Sequence, residues 1–314
     1  MLDVCLLGTG GMMPLPGRWL TSMLLRYNGR MCLVDCGEGT QIPLKMAGWG
    51  FKAIDAIFFT HYHADHVAGL PGLLLTIGNS GKDTPIDLIG PPGLLHVVKS
   101  LLSICPALTY ELRVMELPGR RQKDAGELDP HTDIDLFENL SFQYAVCDHN
   151  TACFAYCFNL KRQGVFNPER AKALDVPLKS WKKLQTGENV ILPDGRLICP
   201  DMVLGPARQG LKVSYCTDTR PNAGLQKLLA GSDLLICEGM YGDDSERENA
   251  AGKKHMVFSE AAALAKGAGA GELWLTHYSP SLQNPSEHIG SARKIFEKTI
   301  AGRDLIKKTL AFAD

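Results

Sequence analysis

The chain lacks any apolar run approaching the roughly 20 residues that a membrane-spanning helix needs. Its opening, MLDVCLLGTGG, carries Asp3, no basic leader, and glycines after one short apolar stretch, so no signal peptide is expected. Neither charge sign dominates. The 33 Lys+Arg stand against 34 Asp+Glu, a net of −1, which argues against a protein-wide basic surface for nucleic acid. The ten cysteines (5, 32, 36, 105, 147, 153, 157, 199, 216 and 237) form no C-x-x-C pair. Several lie in apolar strand-like runs, where Cys acts as a small hydrophobe. That usage points to a reducing cytoplasm, no disulfides and no thiolate zinc site. Internal repeats and low-complexity tracts are also missing. With 45% hydrophobic and 21% charged residues over 314 positions, disordered, collagen-like and mucin-like readings fall away.

What is present is an alternation of β-rich and helix-like runs. Strands are expected at residues 3–7, 22–27, 31–35, 53–60, 86–89, 140–146, 155–160, 213–217, 234–238 and 273–276. Helices are expected at 38–47, 68–77, 94–103, 258–266 and 288–297. Strands mixed with amphipathic helices give an α/β sandwich. One stretch differs in texture: Lys161–Arg196 holds eight Lys/Arg against four Asp/Glu, a local net of +4. It contains short helix-like pieces at Pro168–Leu174 and around Trp181, then ILPDGRLI, a hairpin pattern. Base rates favour a solvated surface insertion.

The sharpest chemical signal is His61-Tyr62-His63-Ala64-Asp65-His66, directly after the apolar AIFFT. Four imidazole and carboxylate groups within six residues suit a divalent ion such as zinc. They also suit two ions, with His61 and His63 directed one way and Asp65 and His66 the other. His149, Asp218 and His277 each follow an apolar strand, as His61 does. Ends of neighbouring strands converge on one sheet edge, where α/β sites are usually built. Taken singly, each of these would be a capping or turn residue; together they describe one two-metal site. Gly8–Gly11 lacks G-x-G-x-x-G spacing and reads as a tight turn near that site. His96, His131 and His288 have no partners in the pattern and read as surface or core residues.

These residues carry a family resemblance. LGTGGMMPLPGRWLTSMLLR, VDCGEGTQ, HYHADHVAGLPGLL, VLGPARQGLKVSYCTDTRP and HMVFSEAAALAKGAGAGELWLTHYSP resemble the ribonuclease Z branch of the metallo-β-lactamase superfamily, the tRNA 3′-processing endonucleases. The resemblance covers nearly the whole chain. It implies a single αββα sandwich over 1–314, with a protruding arm at about 161–205, and two Zn²⁺ per protomer, Mn²⁺ or Fe²⁺ being alternatives. His61, His63 and His149 would hold the first ion, Asp65, His66 and His277 the second, and Asp218 both. Asp65 would also orient the attacking hydroxide, and His255 would act as a non-ligand catalytic histidine. Asp35 and Glu238 are candidates, on their position, to orient ligand imidazoles from behind, or equally to be strand-end caps. An aspartate at 218 differs from the cysteine of β-lactam-hydrolysing members, and His63 from the glutamate of flavin-diiron members. The arm stretch DVPLKSWKKLQTGENV departs from the branch's glycine–proline-rich motif.

The implied activity is cleavage of precursor tRNA 3′ trailers by a hydroxide held at two metals, in a cytoplasmic homodimer with no membrane association. A hydrolase of small phosphodiesters or other esters is the alternative, supported by the altered arm and the neutral overall charge. A non-catalytic RNA-binding protein on the same fold ranks last, since such members generally lose ligands and this sequence keeps the full set.

Overall fold

The computed structural model describes residues 1–119 and 133–313. Its first sheet contains β1 (Leu2–Gly8), β2 (Ser22–Tyr27), β3 (Arg30–Val34), β4 (Ile54–Phe58), β5 (Ile86–Gly90) and β6 (Leu112–Glu116). The second begins with β7 (Ile134–Phe137), β8 (Leu140–Val146) and β9 (Phe154–Arg162). A two-stranded hairpin, β10 (Val190–Ile191) and β11 (Leu197–Ile198), stands apart. The second sheet continues with β12 (Arg208–Cys216), β13 (Leu234–Glu238), β14 (Leu273–Thr276) and β15 (Thr299–Ala301), and β16 (Lys307–Leu310) returns to the first. The orders are β16-β1-β2-β3-β4-β5-β6 and β15-β14-β13-β12-β9-β8-β7.

Alternation along the strands makes the layers. In β9 the bulky Phe154, Tyr156, Phe158 and Leu160 face the space between the sheets, while Ala155 and Cys157 face outward under helices. Phe58 of β4 meets Phe142, Tyr156 and Phe158 edge-on, with centroids 4.9–5.2 Å apart. Such pairs add about 0.5–1.5 kcal/mol each beyond the area they bury. Helices Gln41–Ala47, Leu70–Asn79 and Leu94–Leu102 cover the outer face of the first sheet. Helices Ala223–Leu229, Phe258–Gly267 and Gly290–Ile295 cover that of the second. The result is the four-layer αββα sandwich expected from the sequence.

The sequence reading differs from the structure in particular places. The motif segment is not only a turn, because Ala64–Val67 forms one helical turn ahead of Leu70–Asn79. The helix expected at 288–297 is two short pieces, Pro285–His288 and Gly290–Ile295. The expected 38–47 helix starts only at Gln41. Strands β6, β7, β15 and β16 were not foreseen; they are short edge or near-edge elements of three to five residues. His96 is exposed and His288 half-buried, whereas His131 lies outside the described residues.

Residues 163–207 leave the sandwich between the antiparallel neighbours β9 and β12. They enclose their own apolar cluster of Ala171, Val176, Leu184, Val190, Leu192, Ile198 and Val203. Trp181 packs on Phe166 and donates its Nε1–H to the Val176 carbonyl. Lys179, Lys182 and Lys183 are exposed on the helix Leu178–Gln185. Among the described residues no helix is long and apolar enough to cross a membrane.

Candidate metal centre

The strands that run parallel end at one edge of the sandwich, and the titratable residues lie just past their ends. Asp35 follows β3, His61 follows β4, His149 follows β8, Asp218 follows β12 and His277 follows β14, while Glu238 is the last residue of β13. Asp35, Asp218 and His277 adopt left-handed backbone, with φ of 61°, 53° and 58°. Each such turn costs about 1–3 kcal/mol and aims the side chain back across the strand ends. Within the motif, His63 is extended and the following turn is helical. That switch sends Asp65 and His66 to a different place from His61 and His63.

Two groups built on the motif form as a result, and a third, Asp218, His255 and His277, overlaps them. Ligand-capable atoms of His61, His63, His149 and Asp218 lie within 4.8 Å of one another, and so do those of Asp65, His66 and His277. Asp218 sits between them. Its Oδ1 is 3.9 Å from Nε2 of both His61 and His149, and its Oδ2 is 3.3 Å from Nε2 of both His66 and His277. Asp65 Oδ2 is 3.5 Å from the same two nitrogens of His66 and His277. The structure therefore brings all seven residues together at one edge of the sandwich. Ring nitrogens face one another at 2.9 Å (His61–His63) and 3.1 Å (His66–His277), around buried carboxylates. Imidazole nitrogens crowded beside buried carboxylates are a donor set that fits divalent cations.

The electrostatics follow from this crowding. Burial pushes the Asp218 carboxyl up, but the His277, His66 and His61 imidazoles outweigh it and hold the group well below the usual carboxylate range. Asp65 is lowered too, against burial, by His277 and His66. His61 is pushed well below its ordinary value by burial and by the neighbouring His66. His66 is raised well above its own, because Asp218 and Asp35 overcome burial. Asp35 Oδ2 receives the His66 Nδ1 proton at 2.8 Å, leaving Nε2 to the centre.

His255 lies beside both groups, with its ring centroid 5.5 Å from that of His149 and 5.6 Å from that of His277. Its Nδ1 faces Glu238 Oε2 at 3.0 Å. Burial lowers this imidazole's pKa, but the Glu238 carboxylate carries it up to about 9. Glu238 was expected to orient a ligand imidazole. It instead holds His255 and accepts backbone N–H groups of Thr219 (2.6 Å) and Met256 (3.2 Å).

Sequence reasoning missed several participants. The Met12 backbone N–H donates to Asp65 Oδ2 at 2.7 Å, so the glycine-rich opening touches the centre directly. Gly11 is required there, since a Cβ would come 2.8 Å from the His277 ring. Arg220, Thr60 and Lys254 also contact residues of the site or the loops that carry them. Arg220 lies in the quoted CTDTRP and Thr60 ends the quoted AIFFT, but neither was given a role there.

Two stacked sheets between helix layers, with histidines and aspartates gathered at one edge, define a metal-dependent hydrolase of the metallo-β-lactamase fold. Human tRNase Z, short form, matches 99% of this chain and 100% of its own with a TM-score of 0.70 at 23% identity. The metallo-β-lactamase fold protein YhfI from Bacillus subtilis matches with a TM-score of 0.67 at 19% identity over 98% of each chain. These likenesses speak for the fold. The chain belongs to the ribonuclease Z family: it is 51% identical over 314 residues to the ribonuclease Z of Lachnospira eligens, covering 100% of this chain and 99% of that one. It is therefore a metal-dependent endoribonuclease. A family model described as Anti-Pycsar protein Apyc1 matches residues 2–108.

Proposed function

We propose that this endoribonuclease removes 3′ trailers from precursor tRNA, with two divalent ions, zinc first and manganese or iron as alternatives, at the two His/Asp groups described above. The carrying observation is the full-length 51% identity to a ribonuclease Z. The seven-residue His/Asp set and the lysines of the arm support it. His61, His63 and His149 would hold one ion, Asp65, His66 and His277 the other, and Asp218 both. When bound, such a pair would supply Lewis acidity at the phosphate and lower the pKa of a bound water toward about 7.

The remaining chemistry belongs to the chain. Asp65, held ionised and steadied by the Met12 amide, orients the attacking water and accepts its proton. His255, held protonated by Glu238, donates from Nε2 to the departing oxygen or stabilises charge on the phosphate. A cytoplasmic homodimer is the working assembly. A second reading, hydrolysis of small phosphodiesters, is favoured by the stretch 175–190, which lacks a glycine–proline pattern. Cleavage of a 3′-extended precursor tRNA, measured beside a chromogenic phosphodiester, separates the two. Efficient cleavage of the chromogenic ester with none of the RNA would overturn the tRNA reading.

A further inference from the structure

We propose that Arg220 is a positioning residue for His255, and that the Arg220–Glu260 ion pair keeps that imidazole in register with the metal centre. The inference rests on the hydrolase reading above and assigns a task to a residue that this reading leaves idle. Arg220 stands two residues beyond Asp218, and its side chain is only 18% exposed. Its guanidinium reaches the helix Phe258–Gly267, where Nη1 donates to Glu260 Oε2 at 2.8 Å and Nη2 to Oε1 at 2.5 Å. Nη1 also donates to the His255 carbonyl at 2.5 Å. The Arg220 backbone N–H, in turn, donates to the Asp148 carbonyl at 3.1 Å.

One residue thus ties together the three loops that carry His149, Asp218 and His255. The other ties are consistent with this. Lys254 Nζ lies 2.9 Å from Asp148 Oδ1, and Glu260 Oε2 accepts the Val257 N–H at 3.1 Å. Glu238 fixes the His255 ring at Nδ1, and the His255 N–H is held by the Ala250 carbonyl at 2.8 Å, which leaves the carbonyl side of the residue to be fixed. The Arg220 fork supplies that remaining restraint by holding the His255 carbonyl. A planar guanidinium can form the paired bonds to a carboxylate and reach a third acceptor, which an ammonium cannot.

The test uses the full-length, metal-loaded protein with a chromogenic phosphodiester and a precursor tRNA. Arg220→Met should lower kcat on both substrates by roughly 10- to 100-fold, the scale of a misplaced catalytic group, with KM and bound metal as in the parent. Arg220→Lys should recover little of the loss. Arg220→Ala should regain part of its kcat on addition of guanidinium at millimolar concentration, which a general loss of structure would not allow. Glu260→Gln, which keeps the shape of the partner, should move kcat in the same direction by less. Hydrogen exchange gives a readout independent of turnover: the His255 and Met256 amides should exchange faster in Arg220→Met, while those of β13 stay protected.

Unchanged kcat together with unchanged exchange overturns the proposal. Loss of metal in step with activity also overturns it, since Arg220 would then support the ligand loops rather than His255. Should the parent cleave neither substrate, the hydrolase reading fails, and the exchange result still decides whether Arg220 fixes the His255 segment.

Discussion

Asp35 and His66 are both fully buried, and the Asp35 carboxylate lies 2.8 Å from the imidazole Nδ1. The same carboxylate accepts the Thr60 N–H at 2.8 Å and the Thr60 hydroxyl. Asp35→Ala therefore orphans a buried amide, at about 1–3 kcal/mol, and frees the His66 ring. Outer partners of metal-binding histidines are worth roughly 10- to 100-fold in metal affinity. Asp35→Asn keeps an acceptor and tolerates the left-handed backbone, so it should lose less of both. Chemical denaturation with a metal-competition titration measures the two effects; equal metal affinity in Asp35→Ala and parent would contradict the assignment.

Asp218 and His255 should separate in their effects. Asp218→Ala removes the carboxylate shared by the two imidazole groups, so metal content and activity should fall together. His255→Ala should leave metal bound and slow turnover by roughly 10²-fold or more. Elemental analysis alongside steady-state rates distinguishes them, and parallel loss of metal in both variants would refute this division of roles.

The pH profile follows from Glu238. His255 is raised from its ordinary value to about 9, so it carries its proton at neutral pH. Turnover that needs this proton should hold below about 9 and fall as pH rises through it. Glu238→Gln removes the raising carboxylate but not the burial that lowers the pKa, so the alkaline limb should move toward acid. Stability follows the same sign. For a raised group, the His255–Glu238 contribution is complete below the unfolded value of about 6.5 and is lost as pH climbs through the folded one. Thermal melts of parent and Glu238→Gln should therefore differ most near pH 6 and converge at high pH.

The arm can be tested by removal. β9 and β12 are antiparallel neighbours paired from Arg162↔Arg208 onward, so a short Gly/Ser turn can replace residues 164–206. None of the candidate ligands lies in that segment. Hydrolysis of a small chromogenic phosphodiester should persist. RNA binding should weaken and its salt dependence flatten, because fewer Lys/Arg displace counterions from phosphate. An unchanged salt slope would move the reading toward small phosphodiesters, and sizing the deleted protein checks whether the arm is a subunit contact instead.

The gathering of His61, His149, Asp218 and His277 was legible because each follows an apolar strand, and strand ends are visible as breaks in hydrophobicity. The layer order was legible for the same reason: apolar strands such as those around Phe58 and Tyr156 alternate with amphipathic helices. The short strands β15 and β16 carry too few residues for a period to emerge. Contacts made by main chain were invisible too. Met12 reaches Asp65 through its amide, which any residue possesses, so the identity of residue 12 says nothing about it. Glu238 was found as a carboxylate at a strand end, but its true partner depends on how the 254–260 segment folds back, which no local pattern encodes.

β12 begins at the root of the arm and ends two residues before Asp218. At roughly 3.3 Å per residue, the eight steps from Arg208 to Cys216 put the arm's attachment about 26 Å from the end of the strand that leads to Asp218. The strand is thus a ruler built into the sheet. A molecule shorter than that span can react at the centre without meeting the arm's root. A long one, if held at the arm and cut at the centre, would have its cleavage point set by that distance. Lengthening or shortening the arm shifts only the far end of that ruler, so substrate reach can change in a protein of this architecture while its metal centre stays as it is.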